Sequence, residues 1–210
     1  MAKSSAASNT KVPAAYWDDL KKKDMTRLCE DTGARMHPPE GLSLQVLRDE
    51  VVVDIQKREI RAAGLDNNLI GDDPLRELLV LLYLLNAAPH EIKHQMVSVK
   101  DLKDAHFFQG PHQLEIAPLL KKFGNDSAGF RRAAEKNGAK PLELADIAFE
   151  LMAFPKIPLY YLLWEADSEF KSRISILFDR SIEFHLSADA IWGVVKLVSN
   201  ALLESTTDNE

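Results

Sequence analysis

Cysteine is almost absent from this chain of 210 residues: Cys29 stands alone. One thiol excludes an internal disulfide and any iron–sulfur cluster held by four cysteines of the same chain, and it suits a cytoplasmic setting. An excess of positive charge is also missing. Lys and Arg number 26 against 32 Asp and Glu, a formal charge of −6, so no general attraction to nucleic acid or to an anionic membrane is built in. Lys21-Lys22-Lys23 is a local basic run of the kind that solvates a helix face. Long apolar runs are lacking as well. The most apolar stretch, Leu78 to Leu85, stops at Asn86, far short of the roughly 18 residues that would span a bilayer. The first ten residues carry Lys3 but no apolar core of the about 7–15 residues that a secretory signal needs. There is no glycine-rich phosphate loop, neither G-x-G-x-x-G nor a Walker sequence, and no serine nucleophile elbow, which argues against the commonest nucleotide-dependent and acyl-transfer chemistries.

What is present organises the chain around its last third. Leu159-Tyr-Tyr-Leu-Leu-Trp164 has no polar face and lies between Pro158 and the acidic turn Glu165 to Glu169, which predicts a strand buried on both faces. Arg173 to Asp179 places Ile174, Ile176 and Phe178 on one face and predicts its antiparallel partner, while Ile147 to Ala153 predicts the strand that feeds it. Ile182 to Leu186 reads as one more short strand. From Ser187, an N-cap, the period changes: Ile191, Val194, Val195, Val198 and Leu202 predict a closing amphipathic helix.

Earlier in the chain, apolar positions from Pro13 to about Asp31 recur at helical spacing and stop at Thr32-Gly33. Leu42 to Val46 and Val51 to Ile55 alternate as a hairpin, with a third strand at Glu59 to Ala62. Gly64 to Gly71 reads as a loop. Asp73 caps and Pro74 opens a helix whose Leu75, Leu78, Leu79, Leu82 and Leu85 form a core stripe, wide enough that Val80, Leu81, Tyr83 and Leu84 are apolar too. Two shorter helices follow, one ending at Gly124 and one running from Asp126 or Ser127 to Asn137-Gly138. The expectation is one α+β domain over residues 13–204, with tails at 1–12 and 205–210. Its mostly antiparallel sheet, made from the Leu42 to Ile55 hairpin and the Phe149 to Leu186 strands, carries the Leu-rich central helix and the C-terminal helix.

Four groups of residues carry candidate chemistry. His90-Glu91-Ile92-Lys93-His94 matches H-E-x-x-H, in which two histidines one helical turn apart bind zinc and the glutamate acts as base on the bound water. That mechanism needs a regular helix. Pro89 in front and the extended Val97-Ser-Val99 behind favour a connector instead, so a metal-dependent hydrolase is the alternative reading and not the leading one. A looser divalent-metal site would gather His90, His94, His106 and His112. His106-Phe-Phe-Gln-Gly-Pro-His112 also offers imidazoles and phenyl rings to a flat cofactor such as a tetrapyrrole, although a loop whose Phe107 and Phe108 plug the core explains it more simply. Glu165, Asp167 and Glu169 with Asp179 form an acidic group at strand ends, beside Tyr161 and Trp164, that would suit a hard cation or acid–base work; a solvated hairpin turn is the simpler account.

A family resemblance rests on several separate motifs in order. They are Asp73-Pro-Leu-Arg-Glu-Leu-Leu-Val-Leu-Leu-Tyr-Leu-Leu85, Val97-Ser-Val-Lys-Asp-Leu102, Pro118-Leu-Leu with Phe123-Gly124, and Pro155-Lys-Ile-Pro-Leu159. Leu163-Trp-Glu-Ala-Asp-Ser-Glu-Phe170, Ile176-Leu-Phe-Asp179 and His185-Leu-Ser-Ala-Asp189 complete the set. From about Pro13 to Leu203 the chain resembles the family known as domain of unknown function 3786. The resemblance implies a cytoplasmic protein of the kind found mainly in anaerobic bacteria and archaea, without a settled activity, some of whose relatives carry an added iron–sulfur module. With Cys29 alone, any redox partnership would be with another, cofactor-carrying protein. The functional expectation is therefore a non-catalytic ligand-binding or accessory protein of anaerobic cofactor or redox metabolism, its cofactor unknown.

Overall fold

A computed structural model describes residues 12–63 and 73–205. The expected loop at Gly64 to Gly71 and most of the two expected tails lie outside these residues. Val12, at the end of the first tail, is 6% exposed and belongs to the core.

The first expected helix is two helices, α1 (Ala14–Lys21) and α2 (Met25–Thr32). The break falls at Asp24, whose carboxylate accepts hydrogen bonds from Thr26 N and Arg27 N and so starts a new helix. Gly33 ends α2 in the left-handed region at φ 73°, where a Cβ would lie 2.8 Å from Pro155 Cβ, so glycine is required both for backbone and for space. Strands β1 (Arg35–His37), β2 (Gly41–Val46), β3 (Asp49–Asp54) and β4 (Glu59–Ala62) form an antiparallel meander in that order.

Next comes α3 (Pro74–Asn86), capped as expected by Asp73, whose side chain accepts from Leu75 N and Arg76 N. Its fully buried apolar positions are Leu79, Val80, Leu81, Tyr83 and Leu84, with Leu75, Leu78, Leu82 and Leu85 only half-buried. Strand β5 (Met96–Val97) is followed by three 3-10 turns between Val99 and His112, then by α4 (Ala117–Phe123) and α5 (Ser127–Lys136). Strands β6 (Lys140–Leu142), β7 (Ile147–Phe154), β8 (Ile157–Trp164) and β9 (Arg173–Asp179) complete a second antiparallel sheet of order β5-β9-β8-β7-β6.

The described residues form one α+β domain, but the expected single sheet is two. The early hairpin and the late strands abut without merging, linked by Leu47 N donating to Ala153 O at 3.1 Å. The expected core of the second sheet stands: β8 is buried along nearly its whole length, paired with β9 from Leu159↔Phe178 to Trp164↔Arg173. The segment after β9 differs from expectation. Ile182–His185 is a short helix, α6, and α7 (Ala188–Glu204) follows it. Tyr161 Oη, fully buried in β8, lies 3.1 Å from Ser199 Oγ and 3.4 Å from Val195 O, which fixes α7 across the sheet. Against α7's other side lies α3, close enough that a Cβ on Gly193 would meet Leu79 Cδ2 at 3.1 Å. No described helix is long and apolar enough to cross a membrane.

Candidate functional site

Asp179 ends β9 with its side chain wholly buried, and it organises the ground around it. Its Oδ1 accepts from Ser181 N at 2.9 Å, Ser181 Oγ at 2.6 Å and Lys93 N at 2.9 Å; its Oδ2 accepts from Gln95 N at 3.0 Å. Burial pushes the carboxyl's pKa up, but the Ser181 hydroxyl and the N–H groups of Ser181, Lys93 and Gln95 more than reverse this, so the net shift is downward. Three of the four donors converge on Oδ1 and one reaches Oδ2, which commits the carboxylate to the backbone around it. It is a staple holding the 89–95 connector against the start of α6.

That staple explains why H-E-x-x-H is not a zinc helix. The segment has no regular structure, and His94 sits at φ 54°. His90 stacks on Phe184 at 4.2 Å between ring centroids, Lys93 Nζ lies 4.6 Å from the same ring, and Glu91 pairs with Lys156 Nζ at 3.0 Å. His106 and His112 sit on separate 3-10 turns, where His112 stacks on Phe107 at 4.3 Å and Phe108 is buried. Of the four histidines expected to share an ion, His90 and His112 are therefore held by different aromatic neighbours. Among the described residues no group of three or more His, Cys, Asp or Glu is placed to hold a metal.

The expected acidic group is divided too. Glu165 and Asp167 follow the end of β8 that faces Arg173, whereas Asp179 lies at the opposite end of β9. Strands advance about 3.3 Å per residue, so the two sets stand about 20 Å apart. Asp167 accepts from Phe170 N at 2.7 Å and Glu169 N at 2.8 Å, contacts that hold its carboxyl below the ordinary aspartate range and shape an exposed turn. The backbone N of Glu165 donates to Asp146 Oδ2 at 2.8 Å. Trp164 carries the Arg173 guanidinium 4.0 Å from its ring centroid, and Tyr161 is core.

The residue the sequence did not single out is His185. It is 1% exposed, at the end of α6, because Ile182, His185 and Leu186 turn inward at helical spacing while Phe184 stays 41% exposed. Its Nδ1 accepts from Ala88 N at 3.4 Å, which leaves the proton of the neutral ring on Nε2, and Nε2 has no hydrogen-bond partner. Burial, with the charges of Lys156 and His90, lowers its pKa to about 4, so the ring is uncharged at neutral pH. In the sequence it stood only as the first residue of the His185-Leu-Ser-Ala-Asp189 motif, between the apolar Phe184 and Leu186.

His185 lines a cleft of about 340 Å³. One wall is the junction of α6 and α7, residues 183–188; the other is Asn86, Lys103, Asp104 and Phe108. Two contacts brace the walls: Lys103 N donates to Glu183 Oε1, and Arg180 Nη1 donates to Asp101 O at 2.5 Å. This cleft offers hydrogen-bond donors and an apolar floor. The one aspartate buried beside it, Asp179, has its oxygens already occupied, so no poised base serves the cleft from that side.

No curated protein and no solved structure matches the chain. The family model described as domain of unknown function (DUF3786) matches residues 24–201. That span takes in both sheets' long strands, the Asp179 staple and the His185 cleft, and the chain belongs to the DUF3786 family.

Proposed function

We propose that this protein is a non-catalytic binding or accessory protein whose ligand sits in the His185 cleft. The observation that supports this most is a braced cleft of about 340 Å³ lined by Lys103, His185 and the uncapped start of α7. A binding role also fits the engagement of Asp179 by four donors and of Glu183 by Lys103 N and Arg180, while the carboxylates near β8 lie at the far end of the sheet. The setting in cytoplasmic cofactor or redox metabolism of anaerobes, with a cofactor-carrying partner protein, rests on the family resemblance and on the single half-buried Cys29.

The test is ligand retention. The full chain is incubated with a small-molecule extract, freed of excess by gel filtration and read by native mass spectrometry beside Ser187→Trp, which fills the cleft mouth at a position whose side chain caps no backbone N–H. A molecule kept unchanged by the wild type and not by the variant supports the reading. Retention unaffected by the tryptophan, or conversion of the molecule to a product, overturns it.

A further inference from the structure

The second sheet shows its helices only one face. Phe149 and Tyr161 turn towards α5 and α7, where Phe149 meets Phe130 and Tyr161 meets Ser199. Side chains alternate along a strand, so Ala148, Leu162 and Trp164 turn the other way. A separate apolar cluster lies there, with Tyr160 and Leu162 buried beneath Leu142, Ala145, Trp164 and Leu177, all four only half-buried. Every member comes from β6 to β9 or from the turn before β7, so among the described residues no helix adds an apolar side chain to it.

At the Trp164 end the apolar surface continues onto both loops, where Leu144 is 46% and Phe170 69% exposed. Apolar surface gathered in this way marks contact with another macromolecule. The Arg173 guanidinium stacked 4.0 Å from the Trp164 ring centroid adds the two residue types that dominate such contacts.

Charge on this face is divided by β8. On the β9 side stands Arg173, exposed and level with Trp164. On the β7 side, at the same level, stands Asp146, also exposed, one residue before the Ile147 that pairs with Leu163. Alternation with Ala148 and Glu150 puts Asp146 on this face, and its bond from Glu165 N holds it there. A two-fold axis along β8 exchanges the two sides, laying β8 over β8 and setting Arg173 of each chain over Asp146 of the other. The face is complementary to itself, a property that docking to an unrelated protein does not require.

From this we infer that the outer face of the second sheet is the docking site for a second copy of this chain, packed face to face as a two-fold dimer. The face is separate from the His185 cleft and independent of the role proposed there.

The experiment is sedimentation equilibrium of the full chain at about 100 µM, a concentration that fills a dimer of micromolar dissociation constant. The wild type should show the mass of two chains. Arg173→Glu and Asp146→Lys, both at exposed positions and checked for folding by circular dichroism, each oppose like charges at two places and should weaken the dimer at least tenfold. Mixed one to one, the two variants should dimerise again, because in the mixed pair both contacts join opposite charges. A monomeric wild type, a dimer indifferent to both single changes, or variants that stay monomeric when mixed overturn the inference.

Discussion

Asp179→Ala is the substitution whose cost the structure defines most closely. The aspartate accepts four hydrogen bonds with no exposed surface of its own. Two of the donors, Lys93 N and Gln95 N, belong to exposed residues of the connector and would turn to water once released, so their loss costs little beyond the bonds themselves. The other two, Ser181 N and Oγ, sit on a residue with 0% exposure and would be left without acceptors. At about 1–3 kcal/mol for stranding a buried polar group, and with bonds to a carboxylate stronger than neutral ones, the total is about 3–4 kcal/mol. Asp179→Asn keeps one acceptor oxygen but turns an amide N–H₂ towards donors, and should cost about 1–2 kcal/mol. Urea denaturation reads both values, and hydrogen–deuterium exchange shows whether the 89–95 connector loosens. A loss below about 1 kcal/mol for alanine, or unchanged exchange in the connector, would refute the staple.

Other consequences follow from single contacts. His185 ionises at about 4 in the fold against 6.5 as the ordinary value, so the unfolded chain binds the proton first; its contribution is complete above pH 6.5 and is lost as pH falls towards 4. That amounts to about 3 kcal/mol, and His185→Phe should flatten the stability slope between those pH values in denaturant melts. Asp179, with its pKa lowered, adds stability above the ordinary aspartate value that is lost only at still lower pH, below about 4. Gly33→Ala meets both a positive φ and Pro155 Cβ at 2.8 Å, and should lower stability by about 2–3 kcal/mol; a thermal melt within a degree of wild type would contradict it. Tyr161→Phe removes the bond to Ser199 and should cost about 1 kcal/mol without altering the fold, as read by urea melts and circular dichroism.

The parts of this fold that the sequence announces are those where one strong local rule acts alone. The β8 run, all apolar between Pro158 and an acidic turn, has no other home than a buried strand, and Asp73-Pro74 starts α3 by capping chemistry that tertiary contacts do not override. The failures come where a distant group decides. Ile182 to Leu186 alternates like a strand, yet Ser181 is drawn back onto Asp179 and the backbone closes into helix. Of the expected core stripe of α3, Leu75, Leu78, Leu79, Leu82 and Leu85, only Leu79 is fully buried, because α1 and α7 pack on α3 and Tyr83 stacks on Phe154, which centres the burial on 79, 80, 81, 83 and 84. Two sheets read as one because a hairpin carries no mark of which strand it will pair with beyond its own turn. The candidate site was least legible. That H-E-x-x-H is a connector and not a helix was legible from Pro89 and the extended residues behind it, but not what holds it, Lys93 N and Gln95 N bonding Asp179, 84–86 residues away. His185 acquires its character from Ala88, Lys156 and His90, none of them near it in sequence.

The most direct test of the cleft as a ligand seat is chemical-shift mapping of the full chain with the molecule it retains from extract. Shifts concentrated in residues 183–190 and 102–104 are the expected result. Shifts centred on the Glu165 to Phe170 turn or on the connector histidines, with His185 unmoved, would contradict the account.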